Sequence, residues 1–420
     1  MLKFNPNKEN CTGCTACMSI CPKNCIVMKR DNEGFLYPFV SGNCINCGLC
    51  QHVCPTLHEN KINHEFKQSA LAAVSLNRKT WRASASGGAF SEICYAWGDK
   101  QTLICGASWN GLYVEHKCVY GIDEIGVFRK SKYIESNLKD NFRKIREYLN
   151  DGGKVIFSGT PCQVAGLRAF LGKDYDNLLL IDLICHGVGS QLVFNKCMES
   201  IGTQFNGVVK YYSFREKPKR YEGRYLKKGD YAYESLYLKN DQYIQLFLDQ
   251  NCLRPSCAEN CRFRNEVRQG DFTLADFKGL ADVFPHLRGT KLNYSAIVIN
   301  SIKGYKILNA LKEQMDMLDC KVEDIKRYNP LFYRQTEPSD DRNKFFEEYI
   351  NNPDEAIAKW TKPATIARLS FKRRFFNSLP HVIRHSILTL LKWNFTSEYD
   401  GCSLSGVVIN RSDRLVSHEE

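Results

Sequence analysis

The chain has 420 residues, with 43% hydrophobic and 25% charged content. That composition is ordinary for a globular protein of two or three domains and excludes a small disulfide scaffold, so its 20 cysteines are not needed as staples. The net charge of +12 is uneven, with eight Lys or Arg and no acid between Lys359 and Ser397.

The N-terminus, MLKFNPNKEN, lacks the apolar stretch of a secretory signal. No apolar run approaches the roughly 18 residues of a membrane span. A soluble, cytoplasmic protein is expected, in which cysteines stay reduced as metal ligands or thiols.

Residues 11–22 read CTGCTACMSICP and residues 44–55 read CINCGLCQHVCP, the same pattern offset by 33 positions. Each copy sets three cysteines at three-residue steps, a fourth four residues on, and then proline. Thiolates are the soft ligands of iron–sulfur clusters, and three at this spacing can wrap one corner of a cubane. In two-cluster ferredoxins the fourth cysteine serves the other cluster. The expected ligand sets are therefore Cys11, Cys14, Cys17 and Cys54 for one 4Fe–4S cluster, and Cys44, Cys47, Cys50 and Cys21 for a second. Paired zinc knuckles would need four ligands in separated pairs, which this register does not offer. The intervening IVMKRDNEGFLYPFV fits strand, turn at Asp31–Gly34, and strand. Cys25 is surplus and is assigned to a buried position. Residues 5–57 thus resemble a bacterial-type ferredoxin module, expected as a domain over residues 1–60.

Residues 58–70 are polar and suit a linker. From Leu71 the pattern becomes mixed α/β, in regions 71–150 and 151–335. VIFS before GTPCQVAGLRAFLG predicts a strand, a turn and an amphipathic helix with Val164, Leu167 and Leu171 on one face. LLLIDLIC at 178–185 reads as a buried strand. This alternation predicts a mainly parallel sheet with helices. Residues 207–245 alternate like antiparallel strands, and 336–420 forms a helical, basic tail. In that tail Phe371, Phe375, Ile383, Ile387 and Leu391 can share a stripe beside basic residues, so it can meet an anionic membrane surface, an acidic partner or only solvent.

Three turns are candidates for ligand contact. Ser86, Gly87 and Gly88 stand at a helix start, where free N–H groups can hold phosphate. Gly159, Thr160 and Pro161 stand at a strand-to-helix turn, where α/β folds bind ligands. Asp271 and Asp276 flank the strand in DFTLADFKG, where turn capping is the plainer role. Neither a Rossmann glycine fingerprint nor a phosphate-binding P-loop is present. Cys162, Cys185, Cys252, Cys257 and Cys261 cluster at loops and favour a third cluster. Cys94, Cys105, Cys118, Cys197, Cys320 and Cys402 are assigned to structural positions.

SGGAFS, SGTPCQVAGLRAFLG, DLICHGVGS, LRPSCAENCRF and GDFTLADFKG, in that order behind a two-cluster ferredoxin, resemble the β subunits of coenzyme F-420 (deazaflavin) hydrogenase and of formate dehydrogenase. The plant hydroxymethyl-chlorophyll reductase is similar over the same region. The resemblance implies FAD held among the three turns, a third 4Fe–4S cluster on Cys162, Cys185, Cys257 and Cys261, and a small organic substrate at the flavin. The last cysteine pair departs from the usual CxxC spacing, which leaves Cys252 as an alternative ligand, and Lys278 replaces a common aromatic. The substrate can be a deazaflavin or a polysaccharide-pathway intermediate.

The expected activity is that of an iron–sulfur flavoprotein oxidoreductase served by a redox partner such as a ferredoxin or reductase. No nucleic-acid partner is expected and no catalytic residue is singled out. The competing readings are a non-catalytic electron-relay subunit and a redox-sensing scaffold.

Overall fold

A computed structural model describes residues 7–58, 66–204, 207–217, 222–227, 233–236, 238–258, 261–334 and 340–366. Its strands are β1 (Ile26–Arg30), β2 (Leu36–Val40), β3 (Ser69–Ser75), β4 (Leu103–Asn110), β5 (Tyr113–Tyr120), β6 (Val155–Ser158), β7 (Leu178–Leu183) and β8 (Gly207–Ser213). They continue with β9 (Glu222–Lys227), β10 (Tyr233–Leu236), β11 (Leu238–Lys239), β12 (Phe272–Asp276), β13 (Ser295–Ile299), β14 (Met315–Cys320) and β15 (Thr365–Ile366).

In the N-terminal module β1 and β2 form an antiparallel hairpin, with Arg30 opposite Leu36. The Asp31 carboxylate accepts from the Glu33 and Phe35 N–H groups at 3.1 and 2.9 Å. Gly34 N–H donates to the Asp31 carbonyl, which closes the turn expected there. Short helices, Ala16–Ile20 and Leu49–His52, each contain the third cysteine of their motif.

The rest is organised on one eight-stranded sheet in the order β14-β3-β13-β12-β7-β6-β4-β5. Strands β4, β6, β7 and β12 are mutually parallel, while β5, β13 and β14 run against their neighbours. The sheet is thus mixed, not mainly parallel. One reason is local: β4 turns into β5 through Gly111, whose φ of +62° suits a tight hairpin that can join only antiparallel strands. The regions 71–150 and 151–335 both contribute strands to this sheet. β3 lies between β14 and β13, and β4 lies between β6 and β5.

Strands β8, β9 and β10 form the expected separate antiparallel sheet. In the C-terminal region the helix Asp340–Asn351 buries Phe345 and Phe346. Phe346 meets Phe35 of the N-terminal hairpin edge to face at 6.2 Å. The tail stripe from Phe371 to Leu391 lies outside the described residues. Among the described residues no helix is long and apolar enough to cross a membrane.

Cys105 and Cys118 stand directly opposite on β4 and β5 and form a disulfide. This corrects their assignment to unpaired structural positions. Antiparallel register alone brings such a pair within bonding reach.

The helix Pro161–Leu171 packs Val164, Leu167 and Leu171 with Phe157 and Leu180 in one buried cluster, as its apolar face predicts. The ferredoxin loop presses on the same helix. A Cβ at Gly166 would lie 2.8 Å from both Cβ and Sγ of Cys14, so only glycine admits the contact. Helix propensity alone predicts that Gly166→Ala stabilises the protein by about 1 kcal/mol. The contact predicts the opposite, a loss of about 1–3 kcal/mol from overpacking. Thermal unfolding of anaerobically purified protein should therefore show a lower midpoint for the variant, and a higher one would contradict this packing.

Candidate metal centres and the sheet edge

The two cysteine motifs fold alike because both contain the same backbone reversals. Gly13 and Thr15 have φ of +69° and +62°, and Asn46 and Gly48, each 33 positions on, have +53° and +76°. Left-handed residues in alternation curl the loop so that cysteines at three-residue steps turn inward. The outcome is two cavities. Cys11, Cys14, Cys17 and Cys54 line the inner one, with Thr15. Cys21, Cys44, Cys47 and Cys50 line the outer one, with Cys25 and Lys23. This is the interleaved register expected from the sequence.

The thiols of Cys11, Cys14 and Cys17 are buried, while Cys47 is exposed and Cys44 and Cys50 are partly so. Burial pushes Cys14 up to about 12, and it raises Cys17 with help from Cys14, Cys11 and Cys54. Metal binding requires the thiolates, so loading releases protons. The Thr15 side chain is buried, and its hydroxyl has no hydrogen-bond partner. A buried orphan donor beside four thiols fits a group that carries sulfur acceptors. Cys25 is buried, as assigned, and its Sγ lies 3.3 Å from that of Cys21.

A third thiol set forms at the carboxyl ends of two parallel strands. Cys162 lies in the first turn of the helix after β6, and Cys185 follows β7. Burial raises the Cys162 thiol, and Cys257, Cys261 and Cys185 raise it further as charged neighbours. Burial, then Cys257 and Cys261, push Cys185 up to about 12. Burial, then Cys261, push Cys257 up to about 11. The four thiols thus act on one another electrostatically, although they come from three separate segments. Cys252, the alternative ligand, has Arg342, Cys197 and Tyr243 among its electrostatic neighbours.

Local geometry favours anionic sulfur here. Thr160 and Gln163 form a capping box, and Thr160 Oγ1 lies 3.1 Å from Cys162 Sγ at the positive end of the helix. The Ser256 hydroxyl, beside Cys257, is buried and unpartnered.

Two arginines join this set to the inner ferredoxin cavity. Arg254 is fully buried; its Nε donates to the Cys11 carbonyl at 2.7 Å, and Nη2 donates to Leu36 O at 2.9 Å and faces Cys11 Sγ at 3.7 Å. Its Nη1 donates to Glu135, and its own carbonyl accepts from Cys257 N–H at 2.9 Å. Arg262, next to Cys261, donates to Thr56 O at 2.6 Å, two residues past Cys54. In the sequence both arginines stand out only as charges near the third set.

The turn residues expected to hold a flavin separate into two groups. Ser86 Oγ donates to Tyr294 O at 2.8 Å, and Gly87 N–H donates to Ser295 Oγ at 2.9 Å. A Cβ on Gly87 would lie 2.2 Å from Ala73 O, so this glycine lets the loop cross β3 and β13. Gly88, with φ of +101°, starts the helix Ala89–Trp97. Gly159 N–H donates to Ile181 O at 3.1 Å, and Thr160 and Pro161 belong to the cap described above.

Asp276 ends β12 on the same edge as Cys162 and Cys185, and pairs with Arg215 at 2.9 Å. Asp271 precedes the opposite end of β12. Both of its carboxylate oxygens are engaged, by Leu180 N–H at 2.9 Å and by Ser301 Oγ at 2.6 Å. One strand of five residues holds the two carboxylates roughly 16 Å apart, at opposite ends of β12. Asp271 is a strand-linking group, as the capping alternative for this pair allowed.

Arg215 and Lys217 also reach this edge, a placement the sequence does not signal. Arg215 bonds Tyr133 and Ala85, and Lys217 Nζ donates to Trp81 O at 2.5 Å and Ser86 O at 2.6 Å. Burial, then Arg215, bring Lys217 down to about 7. Their only trace in the sequence is the charge run FREKPK after a strand.

Eight interleaved thiols around two cavities define a two-cluster 4Fe–4S electron-transfer module seated on an α/β sheet. Comparison with known protein families agrees. Residues 10–57 match the 4Fe–4S dicluster domain. Residues 152–324 match the C-terminal region of the beta subunit of coenzyme F-420 hydrogenase/dehydrogenase. Over residues 152–324 the chain is thus similar to that beta-subunit family, and over residues 10–57 to the dicluster domain. No curated protein matches. Among 13 matching solved chains is one from the xenon-derivatised F-420-reducing nickel–iron hydrogenase complex of Methanosarcina barkeri. It is 14% identical, with a TM-score of 0.41, and the match covers 69% of this chain and 91% of that one.

The register has a direct test. Cys54→Ala should abolish the same electron-paramagnetic signal as Cys14→Ala, and Cys21→Ala the same signal as Cys47→Ala. Loss in the sequence-contiguous pairing, Cys21 with Cys14, would contradict the assignment.

Proposed function

We propose that this chain is an iron–sulfur flavoprotein oxidoreductase that links a redox partner protein to a small organic substrate, of deazaflavin type or from a polysaccharide pathway. The observation that carries the reading is the succession of thiol sets, from the exposed Cys47 side inward to Cys11–Cys17 and on to Cys162–Cys261 at the sheet edge. Bound 4Fe–4S clusters supply one-electron transfer, and FAD supplies the exchange between one- and two-electron chemistry.

The chain's own groups have distinct parts in this reading. Cys44, Cys47 and Cys50, at the open cavity, face the partner, and the buried inner thiols exclude water. Cys162, Cys185, Cys257 and Cys261 hold a third cluster, which the Thr160–Gln163 cap supports from the helix end. Ser86–Gly88, Gly159–Pro161 and Asp276 border the flavin, with the Arg215 guanidinium fixing the Asp276 carboxylate. Asp271 has no part in it. A cytoplasmic location goes with this reading, because reduced thiols are what the ligands require.

A second reading, a non-catalytic relay subunit, draws on one observation: the Ser86 hydroxyl and Gly87 N–H are already bonded within the protein. Iron and flavin analysis of anaerobically purified full-length protein tests both. The main reading expects about twelve irons, by three four-iron cubanes, and flavin released on heating. About twelve irons without flavin would select the relay reading, and about eight irons without flavin would leave a ferredoxin on an unloaded sheet domain.

A further inference from the structure

Arg254 has an unusual position for a guanidinium. It is 0% exposed, and its donors converge on the first-cluster loop: the Cys11 carbonyl, the Cys11 sulfur and Leu36 O of the hairpin. The rings of Tyr37 and Phe35 cover it at 4.2 and 5.7 Å. Gly13 is shaped around it, since a Cβ there would lie 2.9 Å from Nη1 and 3.2 Å from Glu135 Oε1.

The carboxylate of Glu135 does not cancel this charge. Glu135 pairs with Arg254 through one oxygen, and its other oxygen accepts from Leu36 N–H at 3.0 Å and faces Arg30 at 3.5 Å. Two guanidinium groups and one carboxylate leave one net positive charge, with the Arg254 end nearest the sulfur. Among the described residues the lining of the outer cavity has one cation, Lys23, and it is exposed.

We propose that Arg254 is a potential-setting residue, which through its charged contact with Cys11 makes the inner ferredoxin centre easier to reduce than the outer one. This rests on the reading of Cys11, Cys14, Cys17 and Cys54 as cluster ligands. The physical cause is general: hydrogen bonds to ligand sulfur and nearby positive charge stabilise the reduced, more negative cluster. Because Arg254 also bonds Cys257 through its carbonyl, it ties that bias to the third thiol set. An electron entering at the exposed Cys47 side is then drawn inward.

Redox titration of the full-length protein, followed by electron-paramagnetic resonance, tests this with two charge-removing changes of opposite sign. In Arg254→Gln one midpoint potential should fall while the others stay and iron content is unchanged. Glu135→Gln should raise that same midpoint, and Arg254→Lys should give a smaller fall than Arg254→Gln. Complete iron with every midpoint unmoved overturns the proposal and leaves the cluster assignment standing. If Arg254→Gln fails to load iron, Glu135→Gln decides: an upward shift supports the proposal and no shift overturns it. Wild-type protein that takes up no iron–sulfur cluster sinks both.

Discussion

The buried guanidinium of Arg254 is the joint on which the two halves of this protein meet. Removing a charge of this size from water costs several kcal/mol unless partners replace the solvent. The partners come from across the chain: Cys11 and Leu36 from the ferredoxin module, Glu135 from the segment after β5, and Cys257 through the backbone. Burial alone would lower the Arg254 pKa, but Glu135 reverses the effect and holds the group charged. Loss of one partner would strand the other and cost about 3–5 kcal/mol. Seating the ferredoxin module and forming the third thiol set therefore depend on each other.

The same contact sets the spatial order of the sulfur ligands. Arg254 and Arg262 tether the Cys257–Cys261 loop to the loops carrying Cys11 and Cys54. Gly166, one helical turn beyond Cys162, receives Cys14. The inner ferredoxin ligands thus lie between the exposed outer set and the set at the sheet edge. Arg143 secures the far side by donating to the carbonyls of Met18, Ser19 and Cys21.

The doubled motif was legible because its chemistry is local. Ligand type, step and left-handed turns all fall within two short loops, and the pattern of two-cluster ferredoxins supplies the interleaved register. The third set was legible only as scattered cysteines and by resemblance, since β6, β7 and a later loop must fold before the four thiols meet. Asp271 and Asp276 show the limit of spacing. Five positions apart they look paired, yet a strand sends them to opposite edges, and only the parallel alignment of β12 with β7 identifies the functional edge. Gly87 shows a similar limit: a glycine that suits phosphate equally suits a backbone crossing. The disulfide of Cys105 with Cys118 depends on a register that composition does not reveal.

Magnetic coupling between the reduced centres tests this linear order most directly. Electron-paramagnetic spectra of fully reduced wild-type protein should show interacting spins. On the three-cluster function proposed above, Cys14→Ala removes the middle centre and should leave two signals that no longer broaden each other, whereas Cys47→Ala should leave one coupled pair. Coupling that survives Cys14→Ala unchanged would contradict the order and the role of the Arg254 joint with it.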